Sequence, residues 1–312
     1  MKALITGANG FVGTYLCDLL LTKGRSVVGI SRSGTANLSG DIKYMACDIR
    51  DTQCLEKIIR SEKPDEVYHL AGTSYIPDSF RDPLLSYNTI VDGTLNLLEV
   101  IRGLKKRPKI LFVGSGEVYG EGVARAFSEK DLLRPSSPYA AAKACADLIC
   151  EQYVKSFDLR IVRARPFNHT GPGQSSLYVC SSFARQISEM EANLLDFISV
   201  GNIKVKRDFL DVRDVVTAYY LLMEHGVPGE AYNISSNDPI SISEILESLF
   251  SHSVLQNPRI VVDSQKVRTN EGNVRFGDNS KLIGQTQWSS KFVLNQTMKD
   301  LLDYWRNIKE HV

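Results

Sequence analysis

The sequence feature that most constrains the fold lies at the amino terminus of the chain. A short apolar segment, residues 3–6, runs directly into Gly7-Ala8-Asn9-Gly10-Phe11-Val12-Gly13, a GxxGxxG spacing that opens a helical pattern. In a strand–turn–helix unit such glycines make the tight turn, let backbone approach a pyrophosphate and pack the helix on the strand. The amino terminus of the helix then faces the phosphates with its partial positive charge. We therefore predict a dinucleotide site lined by Gly7, Asn9, Gly10, Phe11, Val12 and Gly13.

Short apolar segments alternate with helical patterns over the first part of the chain. The segments predicted as strands are residues 3–6, 26–31, 43–46, 66–70, 110–113 and 160–165. The patterns predicted as helices are residues 12–22, 54–62, 84–104 and 138–157. Strands separated by helices form a parallel sheet that is covered on both faces. We therefore expect an α/β Rossmann fold, with a doubly wound parallel sheet over residues 1–165.

The alternation breaks up after about residue 170, where glycine and proline separate shorter elements. This change predicts a smaller substrate-binding domain, which takes up most of residues 166–312. We expect it to be interleaved with the first domain, to which a later segment at about 205–235 returns.

Composition excludes several classes of protein. A net charge of +1 without a long basic run does not favour nucleic-acid binding. No apolar stretch approaches the roughly 18 residues of a membrane helix. We expect no signal peptide, because residues 1–2 lead directly into a predicted strand. Six scattered cysteines without CxxC pairs favour a reducing compartment, so we expect a cytoplasmic protein. No cluster has the spacing of metal ligands, and we expect no metal.

The carboxyl ends of the next predicted strands provide further candidates for cofactor binding. The second strand ends in Ser31-Arg32-Ser33, where an enzyme specific for NAD would usually place Asp or Glu on the ribose 2′-hydroxyl. A guanidinium flanked by hydroxyls suits a 2′-phosphate, so Arg32 favours NADP(H), with NAD(H) as a possible second cofactor. At the ends of the third and fourth strands, the expected cofactor contacts are Asp48, Ile49, Leu70, Ala71 and Gly72.

A tyrosine and a lysine four residues apart predict acid–base chemistry. Tyr139 and Lys143 follow Pro138 in a predicted helix, and this spacing places them on one helix face. A neighbouring ammonium favours the phenolate and lowers a tyrosine pKa. Ser115, just after the strand at 110–113, is positioned to contact the same substrate oxygen. An ordinary helix face remains the alternative explanation for such a pair.

Taken together, these residues resemble the extended short-chain dehydrogenase/reductase family over nearly the whole chain. Gly7, Gly10 and Gly13, Ser115 before Val118-Tyr119-Gly120, and Tyr139 with Lys143 match the family in order and spacing. The resemblance implies that Tyr139 is the general acid, that Lys143 lowers its pKa and holds the nicotinamide ribose, and that Ser115 positions the substrate oxygen.

Two later segments resemble the sugar-nucleotide branch of this family, in particular its GDP-mannose group. They are residues 168–173, Asn-His-Thr-Gly-Pro-Gly, and residues 207–212, Arg-Asp-Phe-Leu-Asp-Val. The resemblance implies a GDP-linked 6-deoxyhexose as substrate, contacted by Asn168 as well as by Ser115 and Tyr139. It also implies that Arg207 and Arg268 clamp the diphosphate and that Glu271 holds the ribose of the guanosine. Each arginine alone is equally compatible with a surface salt bridge.

The residues after Ser115 bear on which reaction of this group the chain performs. Dehydratases of the branch carry Thr-Ser-Glu or Thr-Asp-Glu here, whereas this chain has Ser115-Gly116-Glu117, in which Gly116 offers no proton donor. The resemblance therefore implies reduction of the C4 keto group of GDP-4-dehydro-6-deoxy-D-mannose to GDP-D-rhamnose with NAD(P)H. Because Glu117 is retained as a candidate catalytic residue, a GDP-mannose 4,6-dehydratase or another sugar-nucleotide epimerase or dehydratase stays open. A non-catalytic regulator that senses NADP is a remoter alternative.

Quaternary structure follows from the same resemblance. The predicted helices at 84–104 and 138–157 have apolar stripes suited to packing against a second copy of themselves. The resemblance implies a homodimer with a four-helix interface.

Overall fold

The computed structural model of the 312-residue chain describes residues 1–33, 41–122, 125–267, 272 and 274–309. Strands alternate with helices in the first half of this part. The strands are β1 (Lys2–Thr6), β2 (Ser26–Ser31), β3 (Ile42–Ala46), β4 (Glu66–His69), β5 (Lys109–Val113) and β6 (Ile161–Pro166). The helices are α1 (Phe11–Thr22), α2 (Thr52–Glu62), α3 (Ile76–Arg81), α4 (Pro83–Tyr87), α5 (Gly93–Arg102) and α6 (Pro138–Phe157). The predicted elements agree with these bounds to within two residues, with one exception.

The exception is the single helix predicted at 84–104, which is wrong. The structure has α4, a π-helical turn at Asn88–Asp92, and then α5. The Thr94 hydroxyl donates to the carbonyl oxygen of Ile90 at 2.6 Å, inside the altered hydrogen-bond ladder. At Gly93 the helix backbone approaches Ile49 so closely that an added Cβ would lie 2.5 Å from its Cδ1 atom. This turn therefore brings helix backbone against the residues that follow β3.

The second half contains shorter elements. Its strands are β7 (Asn168–Thr170), β8 (Ile198–Val200), β9 (Lys206–Asp211), β10 (Ala231–Ile234), β11 (Pro239–Ser241), β12 (Ile260–Val262) and β13 (Val274–Arg275). Its helices are α7 (Val179–Glu191), α8 (Val212–His225), α9 (Ile242–Ser251), α10 (Ser280–Thr286) and α11 (Leu294–Lys309).

A seven-stranded parallel sheet forms the centre of the molecule and confirms the predicted Rossmann fold. Its strand order is β10-β6-β5-β4-β1-β2-β3. Helices α1 and α8 pack on one face, and α2, α5 and α6 pack on the other. The chain leaves β1 towards β2 and β3, then returns to the other side of β1 with β4. This reversal opens a crevice at the carboxyl ends of β1 and β4, the place where open α/β sheets bind ligands.

A smaller sheet carries the residues of the second half towards that crevice. Strand β9 is its centre and pairs with β11, β13 and β7. Helices α7, α9 and α11 enclose a separate apolar core beside it. Within the segment 205–235, α8 and β10 belong to the layers of the large sheet, whereas β9 belongs to the smaller one. The division into two domains at residue 165 stays a prediction.

A buried charge cluster fastens helix α6 to strand β6. Asp147 is fully buried and accepts hydrogen bonds from Arg163 Nη1 at 2.6 Å and from Arg165 Nε at 2.9 Å. Arg165 also donates to the hydroxyl of Tyr119 at 2.9 Å, which in turn donates to Asn233 Oδ1 at 2.7 Å. Because two guanidinium groups share this carboxylate in a buried environment, its loss would leave uncompensated charge.

We expect Asp147→Ala to lower the free energy of unfolding by about 3–5 kcal/mol, since it leaves the buried Arg165 without its acid. Arg163 would retain Glu151, which lies 2.9 Å from its Nη1 atom. Urea denaturation followed by circular dichroism measures the change. The matched control is Glu56→Ala, which removes the partner of Arg60 from an exposed pair 2.8 Å long. That loss should stay below about 1 kcal/mol. Equal losses in the two variants would contradict the role given to the cluster.

Candidate active site

The glycine-rich turn between β1 and α1 is built so tightly that only glycine fits at two positions. Gly7 has a φ of +74°, and its N–H donates to the carbonyl oxygen of Ile30 at 2.8 Å. A Cβ atom at Gly13 would lie 2.3 Å from the carbonyl oxygen of Gly7. Helix α1 begins at Phe11 without a side-chain cap at Gly10. The N–H groups of its first turn have no acceptor within the helix and suit phosphate oxygens.

Polar groups gather beside this turn at the ends of β2 and β3. The Asn9 amide donates to the Ser33 hydroxyl at 2.9 Å, and Arg32 is exposed next to it. Asp48 accepts from Arg50 Nη2 at 2.6 Å, and this bond holds the pKa of its carboxyl below the ordinary value, with the charge of Arg32 adding to the effect. The structure thus brings Asn9, Arg32 and Asp48 together as predicted cofactor residues. Sequence reasoning missed Arg50, two residues beyond Asp48.

One buried hydroxyl in this region tests the fit of a cofactor. Ser31 is 6% exposed, and its Oγ atom has no hydrogen-bond partner among the residues that the structure describes. A buried hydroxyl without a partner is unfavourable in a folded protein, unless a ligand or water satisfies it. Together with the N–H groups in the first turn of α1, this hydroxyl fits a bound dinucleotide.

The remaining predicted cofactor residues line the same edge of the sheet. Thr6 positions Ala71, because its Oγ1 atom accepts the Ala71 N–H at 3.2 Å. An added Cβ at Gly7 would lie 3.0 Å from the Ala71 nitrogen. At Gly72 an added Cβ would lie 3.6 Å from Lys143 Nζ. Leu70 packs against the core on the α1 side, and Ile49 is buried on the opposite side. The edge therefore runs continuously from the glycine turn to helix α6.

His69 stabilises this edge and does not line it. Its ring nitrogens bond Thr6 Oγ1 at 2.7 Å and Thr94 Oγ1 at 3.1 Å. Burial lowers the pKa of His69 to about 3, so the ring is neutral at physiological pH. These contacts and the burial of the ring place His69 in the core.

Helix α6 and the segment after β5 hold the predicted catalytic residues together. The helix begins at Pro138, where the side chain of Ser137 accepts the N–H of Ala140 at 3.1 Å. Tyr139, the second residue of the helix, is 9% exposed and forms a side-chain hydrogen bond with Ser115. Lys143 lies one turn further on, 5% exposed, and donates from Nζ to the carbonyl oxygen of Val113 at 2.8 Å.

The protonation of this pair differs from the sequence-based expectation. Burial raises the pKa of Tyr139 well above its ordinary value, and the hydrogen bond from Ser115 offsets this only in part. The ammonium of Lys143 is bound to Val113, and burial lowers its own pKa to about 8. The expected lowering of the Tyr139 pKa by Lys143 is not found, because burial raises that pKa and Lys143 is not among the groups that act on it. A phenol that stays protonated at neutral pH suits a proton donor.

Glu117 forms an ion pair that the sequence did not predict. A 3₁₀ turn at Gly116–Tyr119 follows Ser115, whose Oγ atom accepts the N–H of Glu117 at 3.1 Å. The Glu117 carboxylate pairs with the guanidinium of Arg275, which lies on β13. The Glu117 carboxylate therefore acts electrostatically on Tyr139 while it is paired with the Arg275 guanidinium.

Two of the predicted substrate residues, Arg207 and Asn168, lie in the second sheet. Arg207 on β9 is buried and donates from Nη1 to the carbonyl oxygen of Gly272 at 2.9 Å, and it is the register neighbour of Arg275 on β13. Asn168 lies half-buried on β7, opposite Phe209. Arg268 and Glu271, the other predicted contacts of the nucleotide, lie outside the described residues.

Aromatic contacts join the second half of the chain to the cofactor edge. The ring of His169 stacks on Phe11 with centroids 6.4 Å apart, and the Tyr15 hydroxyl donates to the carbonyl oxygen of Pro172 at 2.8 Å. The Tyr178 hydroxyl lies 2.7 Å from Ser74 Oγ and acts electrostatically on Tyr139. Sequence reasoning missed Tyr178 and Ser74, since no spacing links residues from such distant segments.

Two kinds of feature are absent from the described part of the chain. No group of three or more His, Cys, Asp or Glu side chains that could hold a metal ion occurs there. No helix in the same ranges is long and apolar enough to cross a membrane.

Comparisons with known proteins agree with this geometry. Residues 4–301 match the family described as GDP-mannose 4,6 dehydratase. The GDP-6-deoxy-D-mannose reductase of Pseudomonas aeruginosa is 34% identical over 98% of this chain and 97% of its own. Human GDP-mannose 4,6 dehydratase is 28% identical over 96% of this chain and 90% of its own. The structure of RMD from Pseudomonas aeruginosa complexed with NADPH superposes with a TM-score of 0.88 and 33% identity, covering 98% of this chain and 99% of that one.

Proposed function

The chain belongs to the family described as GDP-mannose 4,6 dehydratase, and from this membership we propose that it is a sugar-nucleotide ketoreductase. Its reaction is the reduction of the C4 keto group of GDP-4-dehydro-6-deoxy-D-mannose to GDP-D-rhamnose. The observation that carries the proposal is the buried, protonated phenol of Tyr139 in contact with Ser115, because ketone reduction needs a proton donor at the carbonyl oxygen. The reductase and the NADPH-bound RMD named above support it.

We assign a step of this reaction to each residue around the phenol. When bound, reduced NADP supplies the hydride. Ser115 and Tyr139 bind the ketone oxygen, and Tyr139 donates the proton that completes the alcohol. Lys143 has its ammonium beside Gly72, where an added Cβ atom would lie 3.6 Å from Nζ, and we assign it to the nicotinamide half of the cofactor. Burial of both side chains excludes the water that would otherwise compete for these hydrogen bonds.

The surroundings of Gly116 favour reduction over dehydration. Loss of water between C5 and C6 needs a further acid beside the catalytic hydroxyls. A Cβ atom at Gly116 would lie 2.9 Å from ring atoms of Phe167, which is itself 6% exposed. An acidic or hydroxyl side chain therefore does not fit at position 116 unless the Phe167 ring shifts.

The nucleotide moiety completes the proposed substrate. We assign the diphosphate to Arg207 and Arg268 and the guanosine ribose to Glu271, with Asn168 near the sugar. Arg207 is held rigidly by backbone carbonyls, and a guanidinium fork matches phosphate oxygens in geometry and charge.

We also propose a cytoplasmic homodimer. Leu84 on α4 and Leu148 on α6 are 72% and 55% exposed, and both belong to the helices that would form a four-helix interface. Burial of these leucines against a second copy would remove apolar surface from water. The cysteines are free thiols, which suits a reducing compartment.

Tyr139→Phe should lower turnover of the 4-keto sugar by about 10²–10⁴-fold, because the ring remains and the proton donor is lost. Stopped-flow or steady-state oxidation of NADPH measures it, and binding of the keto sugar should survive. Tyr153→Phe is the matched control on the same helix, since its hydroxyl donates to Glu99 at 2.6 Å, away from Ser115. Full activity in the Tyr139 variant would refute the assignment.

Arg32→Ala should weaken NADPH binding by about 1.5–3 kcal/mol, the value of a charge-assisted hydrogen bond, and leave NADH binding nearly unchanged. Fluorescence titration of the two reduced cofactors against wild type and variant gives both numbers, with NADH as the internal control. A preference for NADPH that is the same before and after the substitution would place the 2′-phosphate elsewhere.

A further inference from the structure

The ion pair between Glu117 and Arg275 joins two distant parts of the chain inside the site. The side chains of the two residues are only 16% and 14% exposed, respectively. Arg275 Nη2 donates to Glu117 Oε1, and its Nη1 atom donates to the carbonyl oxygen of Gly120 at 3.4 Å. A guanidinium that also bonds backbone is fixed in orientation, so it holds the carboxylate in one place.

The paired carboxylate stands next to the reacting centre. Glu117 follows Ser115 by two residues, and its N–H is bonded to Ser115 Oγ. Its negative charge acts on the Tyr139 phenol, where it raises the pKa. A ketone whose oxygen is bound by Ser115 and Tyr139 therefore has this carboxylate as a neighbour.

A free carboxylate in that position would be a liability for a ketoreductase. The C–H bonds at C3 and C5 flank the C4 ketone and are acidified by it. A general base could take a proton from either carbon, and the electron pair would move to the ketone oxygen to form an enolate. Return of a proton from the carboxyl group to that carbon restores the ketone, so the cycle needs no oxidant or reductant. Such a cycle would be detected as exchange of the hydrogen at C3 or C5 with solvent, and as loss of configuration at that carbon.

We propose that Arg275 is a positioning residue that keeps Glu117 out of this chemistry. The bond from Arg275 to Oε1 holds the carboxylate in one orientation, so it cannot swing towards C3 or C5 of the bound sugar without breaking that bond. The pair lets the site reduce the ketone without enolising it. This inference rests on the proposed function, because it requires the 4-keto sugar to bind between Ser115, Tyr139 and Glu117.

The test is deuterium incorporation at C3 and C5 of GDP-4-dehydro-6-deoxy-D-mannose in D₂O, with NADP⁺ in place of NADPH so that the ketone persists. Proton NMR and mass spectrometry measure the rate for wild type, Arg275→Gln and Arg275→Met. Each Arg275 variant is also combined with Glu117→Gln. The matched control is Arg60→Gln, which breaks an exposed pair with Glu56 on α2. Melting temperature and its rise with NADPH show that each variant is folded.

Wild type and Arg60→Gln should exchange no faster than the sugar alone. Either Arg275 variant should exchange about 10²-fold faster or more, the range of a working general base, and Glu117→Gln in the same chain should abolish the gain. Arg275→Gln retains polar contacts and Arg275→Met does not. The test needs only one of the two variants to be folded. Exchange in wild type as fast as in the variants would overturn the proposal, as would folded variants that reduce the sugar without exchanging it. If wild type fails to oxidise NADPH with the keto sugar, the proposed function fails instead.

Discussion

Burial of the Tyr139 phenol is the constraint on which the chemistry of this site depends. Helix α6 places the phenol between the large sheet and the second half of the chain, where it is 9% exposed. Desolvation there raises its pKa more than the Ser115 hydrogen bond lowers it. The phenol is therefore protonated when a ketone oxygen binds next to it. The charge cluster around Asp147 fastens the same helix, so the stability of the fold and the position of the proton donor rest on one element.

Reduction is favoured by the absence of an acid at position 116 as well as by the hydroxyls of Ser115 and Tyr139. The close approach of Phe167 leaves Gly116 without room for an acid. Glu117 is present next to it, but its carboxylate forms an ion pair with Arg275. A dehydratase would need both neighbouring positions for proton transfer. Here Gly116 has no side chain to transfer a proton, and the carboxylate of Glu117 is held by Arg275. The hydroxyls of Ser115 and Tyr139 remain as the groups that act on the ketone.

The sequence predicted those parts of the molecule whose signals are local. The strands of the large sheet, the glycine turn and α6 follow from periodicity and from residues such as Gly7 and Pro138 within one segment. The helix at 84–104 was predicted without its π turn, because the close contact between Gly93 and Ile49 is tertiary. Arg275 lies 158 residues from Glu117, and no spacing in the sequence connects them. The protonation of Tyr139 was also missed, since it depends on burial rather than on the nearness of Lys143 in the sequence.

The central claim is that this chain reduces a 4-keto sugar and does not make one. The most direct measurement follows the sugar nucleotide and the cofactor together in two reactions of the wild-type protein. With GDP-4-dehydro-6-deoxy-D-mannose and NADPH, we expect one NADPH to be oxidised for each sugar consumed, with GDP-D-rhamnose as product. With GDP-mannose alone, we expect no keto sugar. Consumption of GDP-mannose without net oxidation of the cofactor would contradict the account, because Glu117 would then be acting as the base of a dehydratase.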